Sequence, residues 1–102
     1  MVDDFSRYAT VFVNSSDGFL DCWAPFFQLL DHYWPSHGPV VLNTEQRIWP
    51  DSPGYVRCSQ VALGETERLT WSECVIRGLR QIETPLILYF QLSRSQKTKK
   101  IY

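Results

Sequence analysis

Residues 8–34, YATVFVNSSDGFLDCWAPFFQLLDHYW, decide the fold of this chain because they place a strand, a polar loop and a helix in immediate succession. Residues 9–13 are small, β-branched or aromatic and show no polar alternation, which is typical of a strand covered on both faces. Further along, apolar side chains recur at helical spacing and predict one buried stripe of Leu20, Trp23, Phe26, Phe27, Leu30 and Trp34. The stretch is therefore a βα unit, and the proline that follows it ends the helix.

Four further segments continue the alternation of strands and helices. Residues 40–42, 55–63 and 86–90 predict strands, and the second of these is half exposed because polar and apolar residues interleave. A capping box at Thr70–Glu73 begins a second helix, which ends before Pro85 and whose predicted buried face is Trp71, Val75, Ile76, Leu79 and Ile82. Right-handed crossovers then predict a small three-layer α/β fold: a Rossmann-like, mostly parallel sheet of about four strands in the order 3-2-1-4.

The fourth predicted strand, LILYF at residues 86–90, is the most apolar segment of the chain. In the predicted order this strand lies at an edge of the sheet. A strand that is apolar on both faces is unfavourable at an edge, because it exposes apolar side chains and unpaired backbone groups there. This conflict favours an incomplete fold, in which residues 1–91 form a half-domain and residues 92–102, with four basic residues and no acid, form a basic polar tail. We therefore expect self-association, or association with another partner, through the fourth-strand edge.

Composition argues against several classes of partner. The net charge of −1 provides no positive field for nucleic acid or anionic lipid. No apolar run is long enough to span a bilayer, and the first residues lack the basic and apolar segments of a signal peptide. Three cysteines without CxxC spacing predict neither a disulfide framework nor a zinc site. These features predict a cytoplasmic protein.

Polar residues follow the predicted strand ends, where open parallel sheets bind ligands. Asn14 to Asp17 follow the first strand and Glu45 follows the second. Amide and carboxylate acceptors suit the hydroxyl groups of a sugar or nucleoside, and Trp71 offers a flat stacking face. Each of these residues taken alone is also typical of an ordinary polar loop. The sequence has no P-loop, GxGxxG, GxSxG or HExxH motif, so the commonest NTPase, dinucleotide-binding, hydrolase and zinc-protease functions have no support.

Three segments carry a specific resemblance: VFVNSSDGFLDCWAPFFQLLDHYWP (11–35), VVLNTE (40–45) and LTWSECVIRGLRQIETPLILYF (69–90). They resemble the opening of bacterial GT-A-type glycosyltransferases, particularly a group that builds cell-surface polysaccharides. The resemblance implies a partial site for a nucleotide sugar, such as a UDP-sugar, formed by Asn14, Ser15, Asp17, Glu45, Ser72 and Arg77. In that site Glu45 would approach the base or ribose, and Ser72 and Arg77 would face the diphosphate.

The chain departs from this family after the fourth strand. In the family that strand runs into an acidic motif that holds Mg²⁺ or Mn²⁺ against the two phosphates. Here the position reads Gln91-Leu92-Ser93-Arg94, and no carboxylate follows Phe90. The resemblance therefore implies no metal ligand and no catalytic residue in this chain, although a complete family member would use Mg²⁺ or Mn²⁺. We expect a truncated glycosyltransferase-like domain that is inactive alone; the alternative is a small α/β protein-interaction module.

Overall fold

The computed structural model of this chain describes residues 8–92. In that range the strands are β1 (Ala9–Asn14), β2 (Val40–Asn43), β3 (Val56–Cys58) and β4 (Leu86–Gln91), and the helices are α1 (Leu20–Tyr33) and α2 (Trp71–Leu79). A 3₁₀ turn, Asp17–Phe19, leads into α1. The predicted basic tail lies outside the described residues from position 93 onward. No helix within residues 8–92 has both the length and the apolar character needed to cross a lipid bilayer.

The four strands form one parallel sheet in the order β3-β2-β1-β4, which confirms the predicted α/β topology. Asn14, the last residue of β1, is level with Asn43 of β2 on one side and with Gln91 of β4 on the other. The chain moves one way from β1 to β3 and then crosses back to β4. Right-handed connections therefore put α1 and α2 on opposite faces of the sheet.

The α1 face holds the main hydrophobic core. Trp23, Phe27 and Leu30 of α1 are buried and pack against alternate residues of the two central strands, Val11, Val13, Val40 and Leu42. Trp49, from the loop after β2, lies against this cluster, with its ring centroid 5.5 Å from that of Phe27. Burying each large apolar side chain contributes about 1.5–3 kcal/mol, so the aromatic stripe of α1 is accounted for by core packing. Leu20, which we expected in the stripe, is 41% exposed at the start of the helix.

The α2 face is packed differently from the sequence prediction. The capping box is present: Thr70 Oγ1 accepts from the Glu73 N–H at 3.1 Å, and Glu73 Oε1 accepts from the Thr70 N–H at 2.8 Å. The predicted buried face is wrong for Trp71 and Ile76, which are 63% and 48% exposed, whereas Val75, Leu79 and Ile82 are partly buried. Gly78 is the buried residue of α2. The helix approaches the sheet through its backbone at this glycine, and Trp71 and Ile76 lie away from the interior.

The two edge strands also differ from expectation in length or exposure. β3 covers residues 56–58 rather than 55–63, and beyond it Gln60 adopts a left-handed φ of 50° that takes the chain out of the sheet. β4 lies at the opposite edge, as the strand order requires. Its apolar side chains are exposed there, with Leu86 at 58% and Tyr89 at 45%.

Candidate functional site

A row of hydrogen-bonded amides crosses the carboxyl edge of the sheet. Asn14 Nδ2 donates to Gln91 Oε1 at 3.1 Å, and Asn43 Nδ2 donates to Asn14 Oδ1 at 3.0 Å. Ser59 Oγ then donates to Asn43 Oδ1 at 2.6 Å. Asn14 and Asn43 are almost completely buried. Buried polar groups are costly unless they are paired, so this row is satisfied internally and holds the strand ends level.

Asp17 fastens the loop that follows β2. Its carboxylate accepts backbone N–H groups from Glu45 at 3.0 Å, Gln46 at 3.1 Å and Arg47 at 3.3 Å. In return, the Asp17 N–H donates to Glu45 Oε1 at 3.4 Å. The consecutive donors surround the carboxylate as they would a bound anion. The Asp17 carboxylate therefore holds the loop after β2 in place at the carboxyl edge of the sheet.

Ser15 has a comparable structural contact. Its hydroxyl accepts the indole N–H of Trp23 at 2.8 Å. Trp23 is fully buried, and a buried indole N–H needs a partner. The polar turn after β1 thus fixes the start of α1 on the sheet.

A cleft of about 180 Å³ opens beside the amide row, between the ends of β1 and β4 and the start of α2. We call it the carboxyl-edge cleft. It lies where the crossover direction reverses, the usual ligand position in open α/β sheets. Its polar and aromatic lining includes Asn14, Ser15, Glu45, Arg68, Trp71 and Gln91.

A second cleft of about 290 Å³ adjoins the first and shares Glu45 and Arg68 with it. Its other charged lining residues are all acids, Asp17, Glu65 and Glu67. Arg68 is the one basic residue lining either cleft within the part of the chain that the structure describes. The combined groove therefore favours ligand groups that carry hydroxyls or a positive charge. For a phosphate it offers one cationic side chain, that of Arg68.

The six residues of the predicted nucleotide-sugar site separate into two groups. Four of them, Asn14, Ser15, Asp17 and Glu45, line one or both of the adjoining clefts. Ser72 is exposed on α2 and lines neither cleft. Arg77 points toward the loop after β3, where its Nη1 donates to the Val61 carbonyl at 3.1 Å and to Glu65 Oε2 at 3.0 Å.

The structure adds Arg68 and Cys74 to the cleft. Arg68 lies in the polar connection before α2, and its position two residues ahead of the capping threonine is the sequence signal that places it near the strand ends. Cys74 follows one turn into the helix. Burial raises the pKa of the Cys74 thiol, and the nearby Glu45 carboxylate adds to this. The thiolate is the nucleophilic form of cysteine, so a raised pKa makes the Cys74 thiol less reactive.

A third cavity, about 350 Å³ and larger than both clefts, lies at the other end of the sheet. Thr10, Pro39, Arg57 and Thr84 are among the residues that line it. This is the edge where the parallel strands begin, away from the amide row. Open parallel sheets bind their ligands at the carboxyl ends of the strands, so position favours the smaller cleft.

The end of β4 does not fit the metal that the family resemblance implies. Gln91 is neutral, and its Oε1 already accepts from Asn14 Nδ2 at 3.1 Å and from Tyr89 Oη at 2.5 Å. Mg²⁺ and Mn²⁺ favour anionic oxygen ligands. Across residues 8–92, no three side chains among His, Cys, Asp and Glu are grouped so that they would hold a metal ion.

No protein-family model, curated protein or solved structure matches this chain. A function for this chain is therefore proposed from the position and chemistry of the carboxyl-edge cleft.

Proposed function

We propose that this chain is a glycosyltransferase-like domain that binds the nucleoside part of a nucleotide sugar, such as a UDP-sugar, and does not transfer the sugar by itself. One observation carries the proposal. The Trp71 indole is 63% exposed, and it lines a cleft at the switch point of a parallel sheet, beside the Asn14–Gln91 amide pair. An exposed aromatic face at that point suits a flat, polar ring.

Each lining group has a distinct part in this proposal. Trp71 stacks on the base, a contact that contributes about 1–3 kcal/mol in nucleic-acid-binding proteins. The Glu45 carboxylate accepts hydrogen bonds from ribose hydroxyls, and Arg68 meets the first phosphate. Asn14 and Asp17 act indirectly, because their polar atoms are already used to hold the strand ends and the loop after β2.

The size and charge of the groove limit what binds. The carboxyl-edge cleft, about 180 Å³, is smaller than the roughly 300–1,000 Å³ of typical ligand pockets. The acids of the adjoining cleft, Glu65 and Glu67, oppose a diphosphate. We therefore expect uridine to account for most of the affinity, with a Kd of about 0.1–1 mM, and UDP to bind within about threefold of it.

Titration of ¹⁵N-labelled protein with uridine and then UDP, each with and without Mn²⁺, tests the proposal. The Trp71 indole and Gln91 amide signals should shift with saturation, and Mn²⁺ should leave the Kd unchanged. Trp71→Ala should weaken uridine binding at least about fivefold, the lower bound of the stacking contribution. Ile76→Ala is the matched control, because Ile76 is also exposed on α2 and lines neither cleft.

Two results would contradict the proposal. Micromolar binding that requires Mn²⁺ would mean that a metal site exists. The lack of a metal site could then no longer explain why the chain does not transfer the sugar. No saturable shift with uridine or UDP would remove the nucleoside site altogether.

A further inference from the structure

Among residues 8–92, β4 forms an edge of the sheet with no strand on its outer side. Within residues 8–92 it pairs with β1 alone, along its whole length. The N–H groups of Leu86 and Leu92 donate toward β1 at 2.8 and 3.0 Å. Because alternate residues of a strand bond to the same neighbour, the N–H and C=O groups of Ile87 and Tyr89 face outward. The edge thus presents a row of backbone groups ready to pair with another strand.

The side chains along this edge are apolar on both faces of the sheet. Leu86 and Leu88 lie on the α1 face and are 58% and 38% exposed. Ile87 and Tyr89 lie on the α2 face and are 39% and 45% exposed. Exposed apolar patches of this kind mark association surfaces on soluble proteins.

The opposite edge of the sheet has the features that prevent strand pairing. β3 is three residues long, and its central residue, Arg57, is exposed and charged. Short edge strands and charged side chains are the usual ways to block edge-to-edge association. β4 has six residues and no charge. The contrast within one sheet singles out β4 as the edge that pairs.

We propose that the β4 edge binds a second copy of this chain, with two β4 strands pairing antiparallel about a two-fold axis. A two-fold interface must be self-complementary, because each residue meets its symmetry partner. β4 meets this requirement: it brings no like charges together, and each face of the joined sheet places apolar side chains beside apolar side chains. Two four-stranded sheets then become one continuous sheet.

The outward-facing backbone groups select the register. Centring the pair on Leu88 places Ile87 of one copy opposite Tyr89 of the other, and their outward N–H and C=O groups form the hydrogen-bonded pairs. Leu88 then faces its own symmetry mate, and Leu86 faces Phe90. Pro85, just before β4, has no N–H to donate, which ends the pairing there. Every opposed pair in this register is apolar.

The strength of this dimer follows from its size. A single pair of edge strands falls among the small interfaces, below about 1,200 Å² in total, which are characteristic of weak complexes. We therefore expect a concentration-dependent dimer with a Kd in the micromolar range.

Sedimentation velocity and light scattering between about 5 and 500 μM test the association. The wild-type chain should shift from monomer to dimer, while Leu88→Lys, which places two like charges opposite each other, should weaken dimerisation at least about tenfold. Leu86→Lys, at a more exposed position, places a charge opposite Phe90 of the other copy and should also weaken dimerisation. It tests the interface independently of any misfolding caused by a lysine at position 88. Leu63→Lys is the control, because Leu63 is 59% exposed in the loop beyond β3. Circular dichroism should be unchanged in all three variants.

Cysteine cross-linking tests the register. In the pairing centred on Leu88, the symmetry-related Cα atoms lie about 4.5 Å apart, within disulfide reach. Leu88→Cys should therefore form a covalent dimer under mild oxidation, whereas Tyr89→Cys, whose symmetry mate is diagonally placed, should not. Wild-type protein oxidised in parallel controls for Cys22, Cys58 and Cys74. A strict monomer at 500 μM, a dimer unaffected by both lysine variants, or cross-linking at Tyr89→Cys alone would overturn the proposal.

Discussion

Gly78 of α2 lies directly against Asn43 of β2, and only a glycine fits there. A Cβ built on Gly78 would overlap Asn43 Oδ1 and would lie 2.8 Å from both Asn43 Cγ and Phe12 Cε1. The same asparagine donates to the Cys74 carbonyl one turn earlier in the helix, at 3.1 Å. The glycine therefore lets the helix backbone reach the amide row, and through it α2 takes its position beside the carboxyl-edge cleft.

Gly78→Ala should destabilise the protein. Alanine normally favours a helix by about 1 kcal/mol over glycine, but forcing a methyl group into a packed contact costs about 1–3 kcal/mol, and the amide row must move to admit it. Urea denaturation should show a lower midpoint. Gly54→Ala, at a glycine with no atom within 4 Å of the added Cβ, should leave the midpoint unchanged. A Gly78→Ala variant as stable as wild type would mean that α2 does not approach the sheet through its backbone.

Asp17→Ala should release the loop after β2. Three backbone N–H groups lose a charged acceptor, and because these contacts are partly exposed to water we expect a loss of about 1–2 kcal/mol in the free energy of unfolding. Asp17→Asn, which keeps one carbonyl oxygen, should lose about half of that. Asp51→Ala, at an exposed loop acid, serves as the control in the same urea titrations. Equal stability of Asp17→Ala and wild type would refute the structural assignment of this carboxylate.

The free energy of unfolding of the Tyr55→Phe variant should vary less with pH in the acid range than that of the wild-type protein. Tyr55 Oη donates to Asp31 Oδ1 at 2.6 Å, and His37 Nε2 lies 3.0 Å from the same oxygen. The hydrogen bond from Tyr55, and then that from His37, lowers the pKa of Asp31 below its ordinary value of 3.8. A lowered carboxyl pKa contributes stability that is present above the unfolded-state pKa and is lost as the pH falls through the folded-state pKa.

At pH 7 the Tyr55→Phe variant should therefore be less stable than wild type by about 1 kcal/mol or less, because Asp31 is nearly half exposed and water screens the contact. The difference should shrink as the pH is lowered below 3.8, the ordinary Asp pKa. Thermal unfolding from pH 7 to pH 2 measures it, with Tyr33→Phe, at a tyrosine that is 78% exposed, as the control. A gap that stays constant down to pH 2 would contradict the linkage to Asp31.

Thr70→Ala should loosen the start of α2. Removing an N-cap hydroxyl typically costs about 1 kcal/mol, and here it also breaks the reciprocal bond with Glu73. Because Trp71 is the next residue, we expect faster amide exchange at positions 71–74 and weaker uridine binding. Thr70→Ser, which keeps the hydroxyl, should restore both. Unaltered exchange in Thr70→Ala would show that the cap does not hold the cleft wall.

Much of the fold was predictable because local patterns and handedness suffice for it. The apolar run of β1, the helical spacing of Trp23 and Phe27, and the right-handed crossovers together led to the observed strand order. The buried face of α2 was mispredicted because hydrophobic spacing favoured Trp71 and Ile76, whereas the helix packs through Gly78. A glycine inside an amphipathic helix was the available signal for a close backbone approach.

The candidate site was predictable in location but not in detail. The rule that ligands bind at the strand ends directed attention to Asn14, Ser15, Asp17 and Glu45, and these residues line the two clefts. Their hydrogen-bond partners depend on residues far along the chain, such as Gln91 for Asn14, and no local pattern reveals them. The orientation of Arg77 toward Glu65 likewise depends on where the loop after β3 lies.

The sequence by itself determined which segments are strands and helices, their parallel order, and the capped start of α2, because propensity, spacing and chain handedness act over short distances. The tertiary structure alone decided which polar groups are used up inside the protein and which face of each element is open. Those outcomes depend on contacts between residues about 15 to 77 positions apart, from Ser59 with Thr44 to Asn14 with Gln91, and on the close approach that Gly78 permits.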